Sequence, residues 1–194
     1  MKLNIGCGNV PLQGYVNVDK YYYPGSDNPL LDKNEVAIWK DDDNQSWKYG
    51  DAIDLRFPDN VYDEVIMIHC LEHLSMEDGN LAIKEAHRVL KPGGILEIEV
   101  PDLTKACELF LQVHVTETGD NQPWHRVMGL LYGTTGSDGE GQFHLCGYSK
   151  EYLKFKFKER GLKNIEEIPV GFGHGNDHGG HAEPQYDFRL RAMK

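Results

Sequence analysis

The sequence predicts an α/β domain with a largely parallel sheet, and three observations predict it. Short apolar runs of strand length alternate with helical patterns along the chain. One run, VIMI at 65–68, is apolar without a break, as a strand buried on both faces requires. The first two strands are followed by a glycine pair and by an aspartate, at the carboxyl ends where parallel sheets gather ligands.

The elements follow in order. LNI (3–5) is a short strand ended by Gly6, and YVNV (15–18) a second ended by Asp19. Residues 21–46 are polar and turn-rich and give no element. After VIMI, Ala82, Ala86, Val89 and Leu90 fall at i, i+4, i+7 and i+8, one face of a helix. KPGG (91–94) stops it, and ILEIEV (95–100) is the next strand. Residues 103–113 and 124–132 read as helical. Ser149 can cap a helix running to Arg160, with Gly161 as its stop. Strands near 164–170 and 186–192 close the chain.

Length and composition fit one globular domain, 1–194, with 40% hydrophobic and 26% charged residues. Lys+Arg number 20 against 31 Asp+Glu, a net charge of −11, so no nucleic-acid partner is expected, since duplex binding rests on basic residues meeting phosphates. The basic run YLKFKFKER reads as a surface helix with a buried aromatic side. No apolar run is long enough to span a membrane. Met1 and Lys2 lead straight into LNIGCG without the pattern of a secretory leader. Cys7, Cys70, Cys107 and Cys146 are far apart and form no CxxC, which suggests reduced thiols and a cytoplasmic location.

GCGN (6–9) lets a backbone with free amides approach a ligand, and Asp19 can accept from adjacent ribose hydroxyls. Together they suggest a nucleoside-containing cofactor. A nicotinamide dinucleotide fits poorly, because the third glycine of G-x-G-x-x-G is replaced by Pro11 and Asp19 arrives too soon.

The stretch GDAIDLRFPDNVYDEVIMIHCLEHL, with LNIGCG, NVD and RVLKPGGILEIEVPD, resembles the class I S-adenosylmethionine-dependent methyltransferases, methyltransferase type 11-like, over residues 3 to about 103. The opening GCGNVPLQGYVNVD is similar to a compact subgroup associated with surface-saccharide and other small-molecule modification. The resemblance implies a Rossmann-like three-layer sandwich with a mostly parallel seven-stranded sheet. It implies S-adenosylmethionine as cofactor and methyl transfer to a small-molecule or saccharide acceptor. Gly6, Cys7, Gly8 and Asn9 match the glycine loop, and Asp19 the ribose-binding acid. Asp51, with Ala52 and Ile53, matches the adenine site, and His69 stands where the methionyl portion passes. The alternative is a module that binds S-adenosylmethionine or S-adenosylhomocysteine without transferring methyl groups and acts through a partner.

Two features depart from the family's pattern. The connection from Gly8 to Asp19 is too short for a helical crossover, so the first crossover helix must be absent or reduced to a turn. Glu97 and Glu99 share one face of a strand that should be apolar on both. That predicts an incompletely covered sheet face, solvated or covered by irregular segments or by a second subunit, as in a homodimer.

A methyl acceptor that carries a proton needs a base, and His144, His69, Glu72 and His73 are the candidates, His144 first. His69, Glu72 and His73 also spell H-x-x-E-H, a zinc-peptidase signature on a helix. Here His69 ends a strand run, so that match is read as coincidence. The tail GFGHGNDHGGHAEP carries His174, His178 and His181, but its glycines give no fixed geometry. No metal is expected from either.

Overall fold

The computed structural model describes residues 1–8, 11–20, 38–40, 46–112, 122–133, 143–170 and 184–194; for 38–40, 46, 47, 122, 123 and 184 this means the backbone alone. The strands are β1 (Lys2–Ile5), β2 (Tyr15–Asp19), β3 (Ile38–Lys40), β4 (Ser46–Tyr49), β5 (Tyr62–Ile68), β6 (Leu90–Pro101), β7 (Lys163–Ile168) and β8 (Asp187–Met193). The helices are α1 (Met76–Val89), α2 (Leu103–Gln112), α3 (Gln122–Tyr132) and α4 (Lys150–Glu159).

Among the described residues the strands form one sheet in the order β3-β4-β2-β1-β5-β6-β8-β7. The neighbours from β4 to β6 pair in parallel, and β3, β8 and β7 are antiparallel to their neighbours. The α/β sandwich expected from the sequence is therefore present, with the short β3 at the edge as an eighth strand.

Register explains the core. Val18, Ile5, Met67, Ile98 and Leu190 lie side by side across five strands, and all are buried. They form one cluster with Ala82, Ile83, Ala86 and Val89 of α1 and with Leu153 and Phe157 of α4. The helix stripe inferred for 82–90 is thus the packing face of α1, except that Leu90 already belongs to β6. Ser149 caps α4 by accepting from the Tyr152 amide at 3.2 Å. Gly161 ends it with φ +78°, a conformation that glycine adopts at little cost.

The opposite face is polar. Asn17, Asn4, Ile66, Glu97 and Arg191 form one row; Ile68, Glu99 and Arg189 form the next. Glu97 and Glu99 are 5% and 3% exposed. Glu97 is held by Arg189 and by Arg191 Nε at 2.7 Å, and Glu99 lies 3.6 Å from Arg189. The glutamates are therefore buried by the chain itself and paired by β8, rather than solvated. Antiparallel pairing of β8 with β6 supplies arginines where a sheet apolar on both faces would have aliphatic residues.

The first crossover helix is missing from the described part of the β1–β2 connection, where residues 12–15 make a turn closed by Tyr15 N on Leu12 O at 3.3 Å. The Asn17 side chain holds that turn: Oδ1 accepts from Leu12 N at 2.8 Å and Nδ2 donates to Leu12 O at 3.2 Å. Asn4 Nδ2 also donates to Asn17 Oδ1, at 3.0 Å, which secures the buried amides.

Candidate functional site

The carboxyl ends of β1, β2, β4, β5 and β6 come to one edge of the sheet. The loop after β1 is drawn back onto β2, with Gly6 N and Cys7 N donating to Val18 O at 2.9 and 3.2 Å. Gly6 has φ +69°, and a Cβ there would collide with the Cys70 side chain, so the loop and the end of β5 touch backbone to side chain. Gly8 has φ +52°, and among the described residues nothing lies within 4 Å of where a Cβ would stand. Its amide donates to Asp19 Oδ2 at 2.9 Å, which ties the glycine loop to the acid at the end of β2. Asn9 lies outside the described residues.

Asp51 follows β4 in a tight turn. Its Oδ1 accepts from Ile53 N at 3.2 Å, and Oδ2 pairs with Lys20 Nζ at 2.9 Å. Ala52 is buried and Ile53 packs against the core cluster, which gives the turn an apolar side. The structure thus brings Gly6, Cys7, Gly8, Asp19, Asp51, Ala52, Ile53 and His69 to the same edge.

His69 directly follows β5 with φ +47°, a strained conformation for a residue with a Cβ. The left-handed turn takes its ring out of strand alternation and toward the polar face. There Nδ1 lies 3.0 Å from Glu72 Oε1, and Nε2 lies 3.5 Å from Glu99 and 3.6 Å from Asp187. Burial opposes the charged imidazolium, but the three carboxylates prevail and hold His69 well above its ordinary range. Burial likewise opposes the Glu72 carboxylate, and His69 beside it brings Glu72 down to about 2. Asp187 goes the other way: burial, with the charges of Glu99 and Glu72, pushes it up to about 7 against the pull of His69.

His73 and His144 sit across from each other, ring centroids 5.1 Å apart. Glu72 O accepts from Leu145 N at 2.7 Å and Cys146 N at 3.2 Å, which brings the segment carrying His144 onto the turn Leu71–His73. Burial lowers His144 despite the attraction of Glu72, so its ring is favoured neutral. Burial raises the thiols of Cys7, Cys70 and Cys146, which leaves them poor nucleophiles.

The peptidase geometry is absent: His69 directly follows a strand, and only Leu71–His73 form a 3-10 turn, so His69 and His73 do not stand one turn apart on a helix. His174, His178 and His181 lie outside the described residues. Sequence reasoning missed Asp187. Nothing local marked it: Asp187 starts DFRLRAM and stands opposite Pro101, while Arg189 and Arg191 stand opposite Glu99 and Glu97.

Among the described residues no helix is long and apolar enough to cross a membrane. Residues 3–98 match a family model described as a methyltransferase domain. The ubiquinone/menaquinone biosynthesis C-methyltransferase of Rhodopseudomonas palustris is 36% identical over 90 residues, 41% of this chain and 35% of that protein. The 27-O-demethylrifamycin SV methyltransferase of Amycolatopsis mediterranei is 35% identical over 101 residues, 50% of this chain and 36% of that protein. The chain thus spans about a third of the length of these curated relatives. A solved S-adenosylmethionine-dependent methyltransferase from Methanosarcina mazei shares the fold, with TM-score 0.56 and 17% identity, covering 100% of this chain and 91% of that one. Over residues 3–98 the chain therefore carries a methyltransferase domain, and it has the fold of the S-adenosylmethionine-dependent methyltransferases.

Proposed function

We propose that this chain transfers a methyl group from S-adenosylmethionine to a small-molecule or saccharide acceptor. The observation that carries the reading is the joined glycine loop and acid, Gly8 N on Asp19 Oδ2, with no described atom within 4 Å of where a Gly8 Cβ would stand. A cradle beside a main-chain amide suits the amino-acid end of the cofactor, and the carboxylate of Asp19 suits two ribose hydroxyls. Asp51 can accept from the adenine amino group, sharing its oxygens with Lys20 and Ile53 N, while Ala52 and Ile53 offer apolar contact. Asn9 belongs to the same loop by sequence.

Bound there, S-adenosylmethionine supplies an electrophilic methyl group on a cationic sulfonium. Glu72, Glu99 and Asp187 bring carboxylates to the end of β5 and β6, where His69 and Arg189 offset part of their charge, and carboxylate oxygens beside a sulfonium cation are a favourable match. Orientation accounts for much of the rate of such an in-line displacement, and the strands fix it. His69, engaged by carboxylates on both ring nitrogens, is poorly placed to accept a proton. His144, favoured neutral, and Asp187, near pH 7, are the groups suited to take one from the acceptor. His73 is assigned to holding the segment around His144 through Phe143 O at 3.1 Å.

Support for a small-molecule acceptor comes from the relatives, whose names specify quinone biosynthesis and a rifamycin. The cysteine pattern supports the cytoplasm as the compartment. An acceptor screen with methyl-labelled S-adenosylmethionine, over quinols, hydroxylated aromatics and saccharides, tests the proposal. Label should appear in one class, and the signal should fall in His144→Ala or Asp187→Asn. Cofactor binding with no acceptor in any class would favour the non-transferring module instead.

A further inference from the structure

The segment that spells a peptidase signature in sequence builds a different donor set once His144 joins it. We propose that Glu72, His73 and His144 form a binding site for one divalent transition-metal ion at the carboxyl edge of the sheet. The three side chains offer ligand atoms within 4.8 Å of one another. Glu72 is 2% exposed, and its Oε2 has no hydrogen-bond partner, while Oε1 is taken by His69. A buried carboxylate oxygen left in that state is costly unless something binds it.

The two imidazoles are arranged as metal ligands are. His73 Nδ1 lies 3.1 Å from Phe143 O, and His144 Nδ1 lies 3.0 Å from Leu130 O. A carbonyl only accepts, so in each ring Nδ1 is the nitrogen that carries hydrogen, and Nε2 is the one left to act as a ligand. Metal-ligating histidines are fixed by such a bond from the other ring nitrogen. The frame is rigid as well: His144 N donates to Tyr132 O at 3.1 Å, and the next two amides donate to Glu72 O.

The neighbouring set, His69, Glu99 and Asp187, is equally compact. Both nitrogens of His69 face carboxylates, however, which is the arrangement of an imidazolium donor rather than of a ligand. Two nitrogens and one oxygen suit zinc, cobalt, iron or nickel better than magnesium or calcium. Three protein ligands leave at least one position open. On the methyltransferase reading, which this step rests on, that position takes an oxygen of the acceptor. The acceptor class singled out carries a hydroxyl, enol or carboxylate close to the atom methylated, and Asp187 is then the remaining proton acceptor.

The test is a Co²⁺ titration of the full chain carrying His174→Ala, His178→Ala and His181→Ala, followed by visible absorption and equilibrium dialysis. One Co²⁺ should bind per chain. Adding His73→Gln or His144→Gln should weaken binding by roughly tenfold or more, while Asp187→Asn should leave it unchanged. Near-UV circular dichroism identifies a variant that has unfolded, in which case the other histidine decides. No Co²⁺ bound, or binding lost in Asp187→Asn but kept in both histidine variants, overturns the site. Calorimetric binding of S-adenosylhomocysteine, run on the same samples, separates the two readings. Cofactor binding without Co²⁺ rejects the metal site alone, and Co²⁺ binding without cofactor rejects the methyltransferase reading.

Discussion

The two faces of the sheet are built on different physics. Toward α1 and α4, side chains such as Ile5, Met67, Ile98 and Leu190 are buried against one another, and stability there comes from apolar area removed from water. Toward the other side, Asn4, Asn17, Glu97, Glu99 and Arg189 are buried just as deeply but are held by hydrogen bonds and ion pairs. Apolar packing is forgiving of which residue provides it; buried charge is not, because each group requires a partner. The polar face is also the one that runs into the site, ending at Glu99 and Asp187 beside His69. The fold is secured on one face, and polar groups are set in order toward the site on the other.

Substitutions can break that contrast. Phe157→Ala, on the apolar side, removes a fully buried ring and should cost about 4 kcal/mol in denaturant unfolding. Arg189→Leu leaves Glu97 and Glu99 underpaired and should cost about 3 kcal/mol. The double variant Arg189→Leu with Glu97→Leu should recover most of that loss, because Glu99 keeps His69 and Arg191 is half-exposed. No comparable rescue is available to Phe157→Ala except refilling the volume. If the double variant is less stable than Arg189→Leu alone, the polar face is not held by pairing as described.

Gly8→Ala sharpens the distinction between fold and site. With φ +52° but no described atom within 4 Å of the added Cβ, the substitution should cost only about 1 kcal/mol of stability, yet put a methyl into the proposed cofactor cradle. Weakened cofactor binding at near-normal stability is the expected outcome, read by calorimetry and thermal melting.

The smallest effect expected is a pH slope. His69 gains proton affinity on folding, so its contribution is complete below the ordinary value of 6.5 and is lost as pH rises from there through its folded value. The melting temperature of the wild type should therefore fall more steeply above about pH 7 than that of His69→Gln. Parallel slopes would show that the carboxylates do not hold the proton.

Much of this was legible in the sequence because it is local. The stripe of α1, the Ser149 cap with its Gly161 stop and the VIMI strand each declare themselves within a few residues. The short connection between Gly8 and Asp19 excluded a crossover helix by length alone. What stayed hidden depends on distant pairing. SWKY is too polar and short to announce β4, which exists because it pairs with β2. Glu97 and Glu99 were visible as an anomaly, but their partners on β8 appear only once antiparallel register is known. Asp187 and the approach of His144 to Glu72 were hidden for the same reason, and so the acid–histidine cluster could not be assembled from spacing.

The central claim is that the glycine loop and Asp19 form a cofactor site. Calorimetric titration of S-adenosylhomocysteine into the wild type and into Asp19→Ala tests it most directly. The arrangement predicts one equivalent bound by the wild type and a loss of roughly tenfold or more in affinity for Asp19→Ala, from two hydrogen bonds to a charged group. No binding to the wild type, or equal affinity in the variant, would contradict it.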